Sequence, residues 1–519
     1  MALDAEVWQT FLRQCGMAVS ALFEGGAEYG GGEDMSAKYD LIVIGAGPAG
    51  EKGAAQAAYF GKRVALVEKS PVVGGAVAST SIPFKALRET ALYLAGFRTR
   101  KLYGIDFQIR PRARLRDFFS QEHAIVRDYR FKVATNLDDH NVDLFPGQAS
   151  FVDAHTVRVE HLRKPPVFLS ADVVLIACGS RPYHPPQFDF DGDGIYDPNT
   201  FMRANYMPKS LAVVGTGPIG CEYACIMALL GCSVSLIDAG DTLLPFLDSE
   251  VSTLLQESLA ETGIDFMAAA GVHKVSEGPP FTLSLDNRGE LKADAIVVAA
   301  GRIGNTEGLA LENAGLATDP RGLLTVNENF QTAQPHIRAV GDVIGFPALA
   351  SSSMEQARIA MVHAFDLKYK QQVTKLMPYG IYSIPECSMV GETEDSAQRK
   401  GVRYVVGRAR YRDNARGGII GDDAGFLKLI YRADDMQLIG AHMIGEQAIE
   451  LIDIGLVAMQ MNATFQAFID ACFNFPSLAE LYKYATYDAM KRKQQGRVQG
   501  GPVQIEPVGI GGSPVDPHN

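Results

Sequence analysis

A glycine-rich turn that occurs twice constrains this chain more than any other feature of its sequence. The segment YDLIVIGAGPAG at 39–50 is followed by a helix-like stretch and then by KRVALVEKS, a strand that ends in an acid. The pattern returns as SLAVVGTGPIG at 210–220 and then CSVSLIDAG. In both copies the first glycine precedes the acid by 23 residues. Two βαβ units with one internal spacing predict two copies of the same fold.

Each GxGxxG motif lies where a strand gives way to a helix, which is the geometry that binds a dinucleotide pyrophosphate. The first glycine permits the tight turn, the second lets the pyrophosphate approach the backbone, and the third lets helix and strand pack closely. The predicted cofactor-binding residues of the first unit are Gly45, Gly47, Pro48, Gly50, Glu68, Lys69, Gly74 and Gly75. Those of the second unit are Gly215, Gly217, Gly220 and Asp238.

The acid of the second unit, Asp238, predicts which nicotinamide dinucleotide binds there. A carboxylate at this position accepts a hydrogen bond from a free ribose 2′-OH, and it repels a 2′-phosphate by ~1–4 kcal/mol. The next residues are Ala239, Gly240 and Asp241, with no arginine to bind a phosphate. The sequence therefore favours NAD(H) over NADP(H) at this site.

Further β-branched runs, and a change in the sequence pattern near residue 373, predict the rest of the fold. Three runs complete the parallel sheets: DVVLIACG at 172–179, DAIVVAAG at 294–301 and HIRAVGD at 336–342. They add four cofactor-binding candidates: Gly179, Gly301, Gly341 and Asp342. Beyond them we expect antiparallel strands, helices at 446–461 and 476–493, and an α+β domain. The predicted domains are an extension (1–37), an FAD-binding domain (38–190 and 326–372), an NAD(P)-binding domain (191–325), a dimerisation domain (373–493) and a disordered tail (494–519).

Composition excludes several classes of partner for this chain of 519 residues. A formal net charge of −12 is unsuited to nucleic acid or an anionic membrane, since both require a basic face. No apolar run approaches the ~20 residues of a membrane helix. The seven cysteines form no CxxC pair, which favours a reducing cytoplasm. Cys221 and Cys225 lie four apart without a third ligand nearby in sequence, so we interpret them as core residues rather than metal ligands.

These motifs resemble those of the pyridine nucleotide–disulfide oxidoreductases over roughly residues 38–493. The resemblance implies an α/β protein with FAD in the first Rossmann-like fold, NAD(P) in the second, and a homodimer formed through the C-terminal domain. It implies that Asp342, in AVGD, binds the ribityl chain of the flavin. It also implies that Lys85, in SIPFK, lies near flavin N5 and pairs with Glu222, in GPIGCEYA. A purely structural ion pair is the alternative for these two residues.

The chain departs from the family at both places that carry thiol chemistry. The redox cysteines of the family precede Ile-Pro, and the corresponding positions here hold Ala76 and Ser81. The His-x-His-Pro of the family reads FNFP here, with Phe473 and Phe475 in the histidine positions. A protein that exchanges no thiols needs neither group, so the two departures agree with each other.

The soluble pyridine nucleotide transhydrogenases are a branch of this family with which the chain shares ACGSRPYHP at 177–185 and FNFPSLAE at 473–480. The resemblance implies an FAD-dependent enzyme that transfers hydride between reduced and oxidised nicotinamide dinucleotides in the cytoplasm. Two alternatives stay open: an NAD(P)H diaphorase or quinone reductase, and a non-catalytic flavin-binding redox sensor. His184, in RPYHP, is interpreted as a loop histidine that caps backbone groups rather than as a proton donor.

Overall fold

The computed structural model describes residues 36–99, 114–118, 122–161, 164–370, 372 and 376–501. These residues form two compact units. The first takes the described chain up to Asp241 and from Thr262 to residue 372, and the second takes Thr242–Glu261 and the chain from Leu376 onward. No helix within the described ranges is both long and apolar enough to cross a lipid bilayer.

Both units combine strands and helices, and within the described residues the second unit contains five strands and six α-helices. In chain order the strands are β1 (Ser36–Ile44), β2 (Val64–Glu68), β3 (Asp143–Pro146), β4 (Gln148–Phe151), β5 (Thr156–Glu160), β6 (Val167–Ile176), β7 (Ser180–Pro182), β8 (Ile195–Tyr196), β9 (Ser210–Val214), β10 (Ser233–Ile237), β11 (Asp265–Met267), β12 (Val272–Val275), β13 (Phe281–Leu285), β14 (Gly289–Ala293), β15 (Ala295–Val298), β16 (Arg302–Gly304), β17 (Ile337–Ala339), β18 (Tyr379–Ile381), β19 (Cys387–Gly391), β20 (Tyr404–Arg410), β21 (Phe426–Arg432) and β22 (Leu438–Ile444). The α-helices are α1 (Pro48–Tyr59), α2 (Ile82–Thr99), α3 (Glu122–Asp139), α4 (Pro218–Leu229), α5 (Ser249–Glu261), α6 (Ala350–Ala364), α7 (Glu394–Arg399), α8 (Ala415–Ile420), α9 (Ala448–Gln460), α10 (Gln466–Asp470) and α11 (Leu481–Gln494).

The first sheet has the strand order β3-β2-β1-β6-β5-β4, and β17 also pairs with β6. Strands β1, β2, β3, β6 and β17 are mutually parallel where they pair. The apolar run Leu41–Ile44 of β1 is buried because both faces of the sheet are covered. Ala57 of α1 and Ala360 of α6 pack on one face, and Leu309 packs on the other. The first glycine-rich turn therefore follows a central strand whose last four residues are buried.

The second sheet repeats this plan, as the matched spacings predict. Its strand order is β11-β10-β9-β15-β8, and all of its pairs are parallel. Helix α4 follows β9 as α1 follows β1, and β10 then pairs with β9 as β2 pairs with β1. The expectation of two Rossmann-like folds is confirmed.

The second unit is built on the antiparallel sheet β18-β19-β22-β21-β20, which confirms the predicted α+β architecture. The first predicted helix, 446–461, corresponds to α9. The second, predicted from residue 476, corresponds to α11 and begins at Leu481, because Ser477 caps a short 3-10 turn over Leu478–Glu480.

Two boundaries differ from the sequence prediction. Residues 494–501 were assigned to a disordered tail, yet the backbone of Gln499 exchanges hydrogen bonds of 2.8 and 2.9 Å with Tyr404 on the edge strand β20. Pairing with an open sheet edge orders this segment. In addition, Thr242–Glu261 belongs to the second unit, although the sequence places it inside the NAD(P) domain. The extension up to residue 35 and the tail from residue 502 lie outside the described residues.

Candidate functional site

The first glycine turn is shaped so that only glycine fits at two of its positions. Gly45 has φ +106°, and a Cβ there would lie 2.5 Å from the carbonyl oxygen of Ala177. A Cβ at Gly50 would lie 1.8 Å from the carbonyl oxygen of Gly45. Gly47 is the N-cap of α1 and has no side-chain capping bond, with Pro48 in the first turn. The free N–H groups at this helix end therefore suit a pyrophosphate.

Three more predicted residues lie around this turn. The N–H of Gly74 donates to the carbonyl of Ala46 at 2.9 Å, and a Cβ at Gly75 would lie 2.8 Å from the Cα of Gly47. Lys69, directly after β2, is exposed. The segment after β2 thus closes over the turn that ends β1.

The second glycine turn matches the first at its first and third glycines. Gly215 has φ +108°, and a Cβ at Gly220 would again lie 1.8 Å from the carbonyl oxygen of the first glycine. Gly217 caps α4 without a side-chain bond, and a Cβ there would meet no atom within 4 Å. The backbone at Gly217 is therefore open to a phosphate group, so the residues present fit a second dinucleotide.

Glu68, the last residue of β2, and Asp238, which directly follows β10, bind the glycine turns in the same way. Oε2 of Glu68 accepts from the N–H of Ala46 and Oε1 accepts from the N–H of Ser70, both at 2.6 Å. Glu68 is buried, and burial raises the pKa of its carboxyl. Oδ2 of Asp238 accepts from the N–H of Thr216 at 2.7 Å. Both carboxylates therefore lie at the mouth of a phosphate-binding turn, as their sequence spacing predicts.

Asp342 and three predicted glycines lie near the ends of β6, β15 and β17. Oδ2 of Asp342 accepts a hydrogen bond of 2.8 Å from Oγ of Ser180, and Nε of Arg302 donates to the same hydroxyl at 2.7 Å. Gly179 and Gly301, which precede these two residues, both have positive φ. Gly341 donates its N–H to the side chain of Gln356 at 2.8 Å. Sequence reasoning missed Ser180 and Arg302, although each directly follows a predicted glycine.

The structure brings Lys85 and Glu222 together across 137 residues of sequence. Nζ of Lys85, in the first turn of α2, lies 2.6 Å from Oε2 of Glu222 on α4. The lysine side chain is about one-third exposed and the glutamate side chain is buried. A cation held by a buried carboxylate is suited to stabilise negative charge on a neighbouring ring.

The positions of the missing redox pair lie beside this lysine. Residues Val77–Ser81 form a π-helical turn that leads into α2, and both Ala76 and Ser81 are exposed. The thiol of Cys178 is no substitute for a redox pair, because burial raises its pKa to about 12. Within the described residues, no three His, Cys, Asp or Glu side chains are grouped to hold a metal.

His184 differs from the sequence expectation. Its Nε2 lies 2.8 Å from Oδ2 of the buried Asp197, and its ring stacks on Phe190 at 3.8 Å. The partner is a carboxylate rather than a backbone group, so the interpretation of His184 as a backbone cap was wrong. Asp197 is distant enough in sequence that no local pattern revealed it.

In the second unit, Phe475 is 77% exposed, whereas Phe473 packs against the buried core. Glu480 is the N-cap residue of α11. Neither phenylalanine has a ring nitrogen that could act as a base for thiol chemistry.

Comparison with known proteins agrees with this geometry. The sequence profile of the pyridine nucleotide-disulphide oxidoreductases matches residues 39–364, and that of their dimerisation domain matches residues 377–486. A soluble pyridine nucleotide transhydrogenase of Mycobacterium tuberculosis is 40% identical over 458 residues, which is 88% of this chain and 98% of that protein. The protein of the same name from Pectobacterium atrosepticum is 37% identical over 464 residues, again 88% of this chain and 98% of the relative.

Solved structures of other proteins share this fold. The HOCl-induced flavoprotein disulfide reductase RclA of Escherichia coli superposes with a TM-score of 0.78 at 27% identity, covering 87% of this chain and 99% of RclA in its Cu(II) complex. LpdA of Mycobacterium tuberculosis superposes with a TM-score of 0.80 at 25% identity, covering 86% of this chain and 99% of LpdA. The chain therefore belongs to the pyridine nucleotide–disulphide oxidoreductase family, in which its relatives at 37–40% identity are soluble pyridine nucleotide transhydrogenases.

Proposed function

We propose that this chain is an FAD-dependent transhydrogenase that moves hydride between reduced and oxidised nicotinamide dinucleotides. One observation carries the proposal: two complete dinucleotide turns flank a lysine–glutamate pair, while Ala76 and Ser81 occupy the positions of the redox thiols. Without a dithiol, electrons have no protein carrier beyond the flavin. The same pocket then receives a reduced nicotinamide and, after its release, an oxidised one.

FAD fits the first fold. Gly45, Gly47 and Gly50 would hold its pyrophosphate, Glu68 its adenosine ribose and Asp342 its ribityl chain. When bound, the flavin supplies a two-electron centre that accepts and returns hydride. Lys85 would hold positive charge beside that ring, and Glu222 would keep the ammonium group in place.

The nicotinamide dinucleotide fits the second fold, at Gly215, Gly217 and Gly220. Its adenosine ribose would lie at Asp238, whose negative charge favours NAD(H) over NADP(H). The protein aligns the two rings, and this alignment is its main contribution to the rate.

The same proposal includes a homodimer in the cytoplasm. The match of residues 377–486 to a dimerisation domain supports self-association, as do the exposed apolar side chains of Phe475, Val457 and Met461. The six cysteines of the described chain are all free thiols, which suits a reducing compartment.

The decisive experiment is anaerobic stopped-flow reduction of the bound flavin by NADH and by NADPH in turn, followed by reoxidation with thio-NAD⁺ or with a quinone. Rapid reduction by a nicotinamide and rapid reoxidation by thio-NAD⁺ are expected. Reoxidation by the quinone alone would reject transhydrogenation in favour of a diaphorase. Failure of both nucleotides to reduce the flavin would instead indicate a flavin-binding sensor.

A further inference from the structure

The Lys85–Glu222 ion pair joins the helices α2 and α4. One partly exposed ion pair is not enough to fix the relative position of the two helices. The lysine side chain is about one-third exposed, so solvent weakens the attraction between the two charges. A residue that sets the position of the Lys85 ammonium group must therefore do so by positioning the helices α2 and α4.

An aromatic pair lies directly beside the charged pair. Phe84 precedes Lys85 on α2, and Tyr223 follows Glu222 on α4. Their ring centroids are 4.1 Å apart with an interplanar angle of 33°, and both side chains are almost fully buried. Phe201 packs edge-on against the same tyrosine, with centroids 5.6 Å apart. Aromatic pairs with defined geometry stabilise a contact beyond the area that they bury.

The hydroxyl of Tyr223 is bound to a four-residue turn, Asp197–Thr200. It donates to the carbonyl oxygen of Pro198 at 2.6 Å in a fully buried environment. Oδ1 of Asp197 holds the turn closed by accepting from the N–H groups of Asn199 and Thr200 at 2.7 and 2.8 Å. His184 binds the other oxygen of the same carboxylate. The turn is therefore a stiff support for Tyr223.

The same turn also reaches the N-terminal end of α2. Oδ1 of Asn199 accepts a hydrogen bond of 2.8 Å from Oγ1 of Thr80. Thr80 lies in the π-helical turn and is separated from α2 only by Ser81. Pro198 thus contacts the helix that carries Glu222, and Asn199 contacts the segment that leads to Lys85.

We propose that Tyr223 is a positioning residue for hydride transfer, which sets the Lys85–Glu222 pair by joining α4 to the turn Asp197–Thr200 and, through Thr80, to the start of α2. The inference rests on the proposed reduction of the flavin by a nicotinamide, but not on the identity of the final acceptor. A failure to reduce thio-NAD⁺ would therefore reject transhydrogenation without bearing on Tyr223.

The test compares Tyr223→Phe with Tyr39→Phe. Tyr39 is also a buried tyrosine, and its hydroxyl donates to Asp143 at 2.9 Å in a part-buried hydrogen bond away from this network. In anaerobic stopped flow, Tyr223→Phe is expected to lower the limiting rate of flavin reduction by NADH about tenfold, with the NADH dissociation constant within about twofold of wild type. Tyr39→Phe is expected to leave both values unchanged.

A second readout needs no turnover. Hydrogen–deuterium exchange of the FAD-bound protein is expected to be faster in Tyr223→Phe over residues 77–90 and 197–201, and unchanged there in Tyr39→Phe. Thr80→Val, with Thr332→Val as its matched control, repeats the test should Tyr223→Phe fail to fold. A limiting rate within about twofold of wild type, or an equal loss in the control variants, would overturn the proposal. Unchanged exchange in both segments would do so as well.

Discussion

Thr216 donates two hydrogen bonds to one carboxylate oxygen of Asp238, from its backbone N at 2.7 Å and from its Oγ1 at 2.8 Å. The N–H of Gly240 donates to the other oxygen at 2.7 Å. A carboxylate has about four acceptor positions, so one remains for a ribose hydroxyl. Glu68, in the first fold, accepts from two backbone donors and keeps two positions. In both proposed sites the acid therefore keeps acceptor capacity for a ribose hydroxyl.

Asp238→Asn is expected to relax the nucleotide preference. Removing the negative charge lowers the repulsion of a 2′-phosphate, so the NADPH dissociation constant should fall about tenfold. Titration of each nucleotide against the oxidised protein measures this directly. Asp241→Asn, an exposed carboxylate on the same loop, is the control. An equal gain in that control would assign the effect to general electrostatics rather than to Asp238.

Lys85→Met is expected to slow flavin reduction by about a hundredfold, because charge developing on the ring loses its cation. The midpoint potential of the flavin should also become more negative, which redox titration measures. Lys370→Met removes a lysine that pairs with Glu355 at 2.9 Å and is the matched control. An unchanged potential in Lys85→Met would assign the pair a purely structural role.

Gly50→Ala and Gly220→Ala are expected to separate the two sites. In each, the new Cβ would lie 1.8 Å from a carbonyl oxygen, so the turn must open. Gly50→Ala should purify without FAD. Gly220→Ala should retain FAD and bind NADH at least about tenfold more weakly, since the aligned N–H groups are lost. Flavin absorbance and NADH titration report the two effects, and Gly192→Ala, where a Cβ meets nothing within 4 Å, should change neither.

Lys428→Met is expected to destabilise the second unit strongly. The ammonium group of Lys428 is 1% exposed and lies 2.9 Å from Asp248 and 2.7 Å from Glu250. Removing it leaves the buried carboxylate of Asp248 without this cation, which costs about 3–5 kcal/mol. Lys400→Met, which breaks an exposed ion pair with Glu392, should cost less than about 1 kcal/mol. Denaturant titration of both variants measures the difference, and similar losses would refute the special role of Lys428.

The ion pairs of Glu250 with Lys428 and Arg408 predict a loss of stability in acid. Burial alone would raise the pKa of Glu250, but hydrogen bonds from Arg408 and Lys428 lower it to about 2. A carboxyl whose pKa is lowered by folding stabilises the protein above its ordinary value of 4.5 and loses that contribution as the pH falls towards 2. Glu250→Gln should flatten the dependence of the unfolding free energy on pH across this window. A curve parallel to that of wild type would contradict the prediction.

Local patterns in the sequence were sufficient for the two dinucleotide folds. The glycine at 45, the acid at 68 and their counterparts at 215 and 238 act within one βαβ unit, so their spacing encodes their geometry. The resemblance to a known family supplied Lys85 and Glu222 as a pair. The absence of thiols at Ala76 and Ser81 was likewise readable from residue identities alone, and it narrowed the chemistry to hydride transfer.

Only the tertiary structure revealed the contacts that join distant segments. The bond of Tyr223 to Pro198, the contact of Thr80 with Asn199 and the pairing of His184 with Asp197 have no sequence period. Within the second unit, the buried Lys428 binds Asp248, which lies 180 residues earlier in the sequence. A sequence shows which residues a local backbone turn requires, because the steric limits of a turn act between residues that are close together in the sequence. Which side chain meets a distant carbonyl or carboxylate is decided by the packing of whole elements.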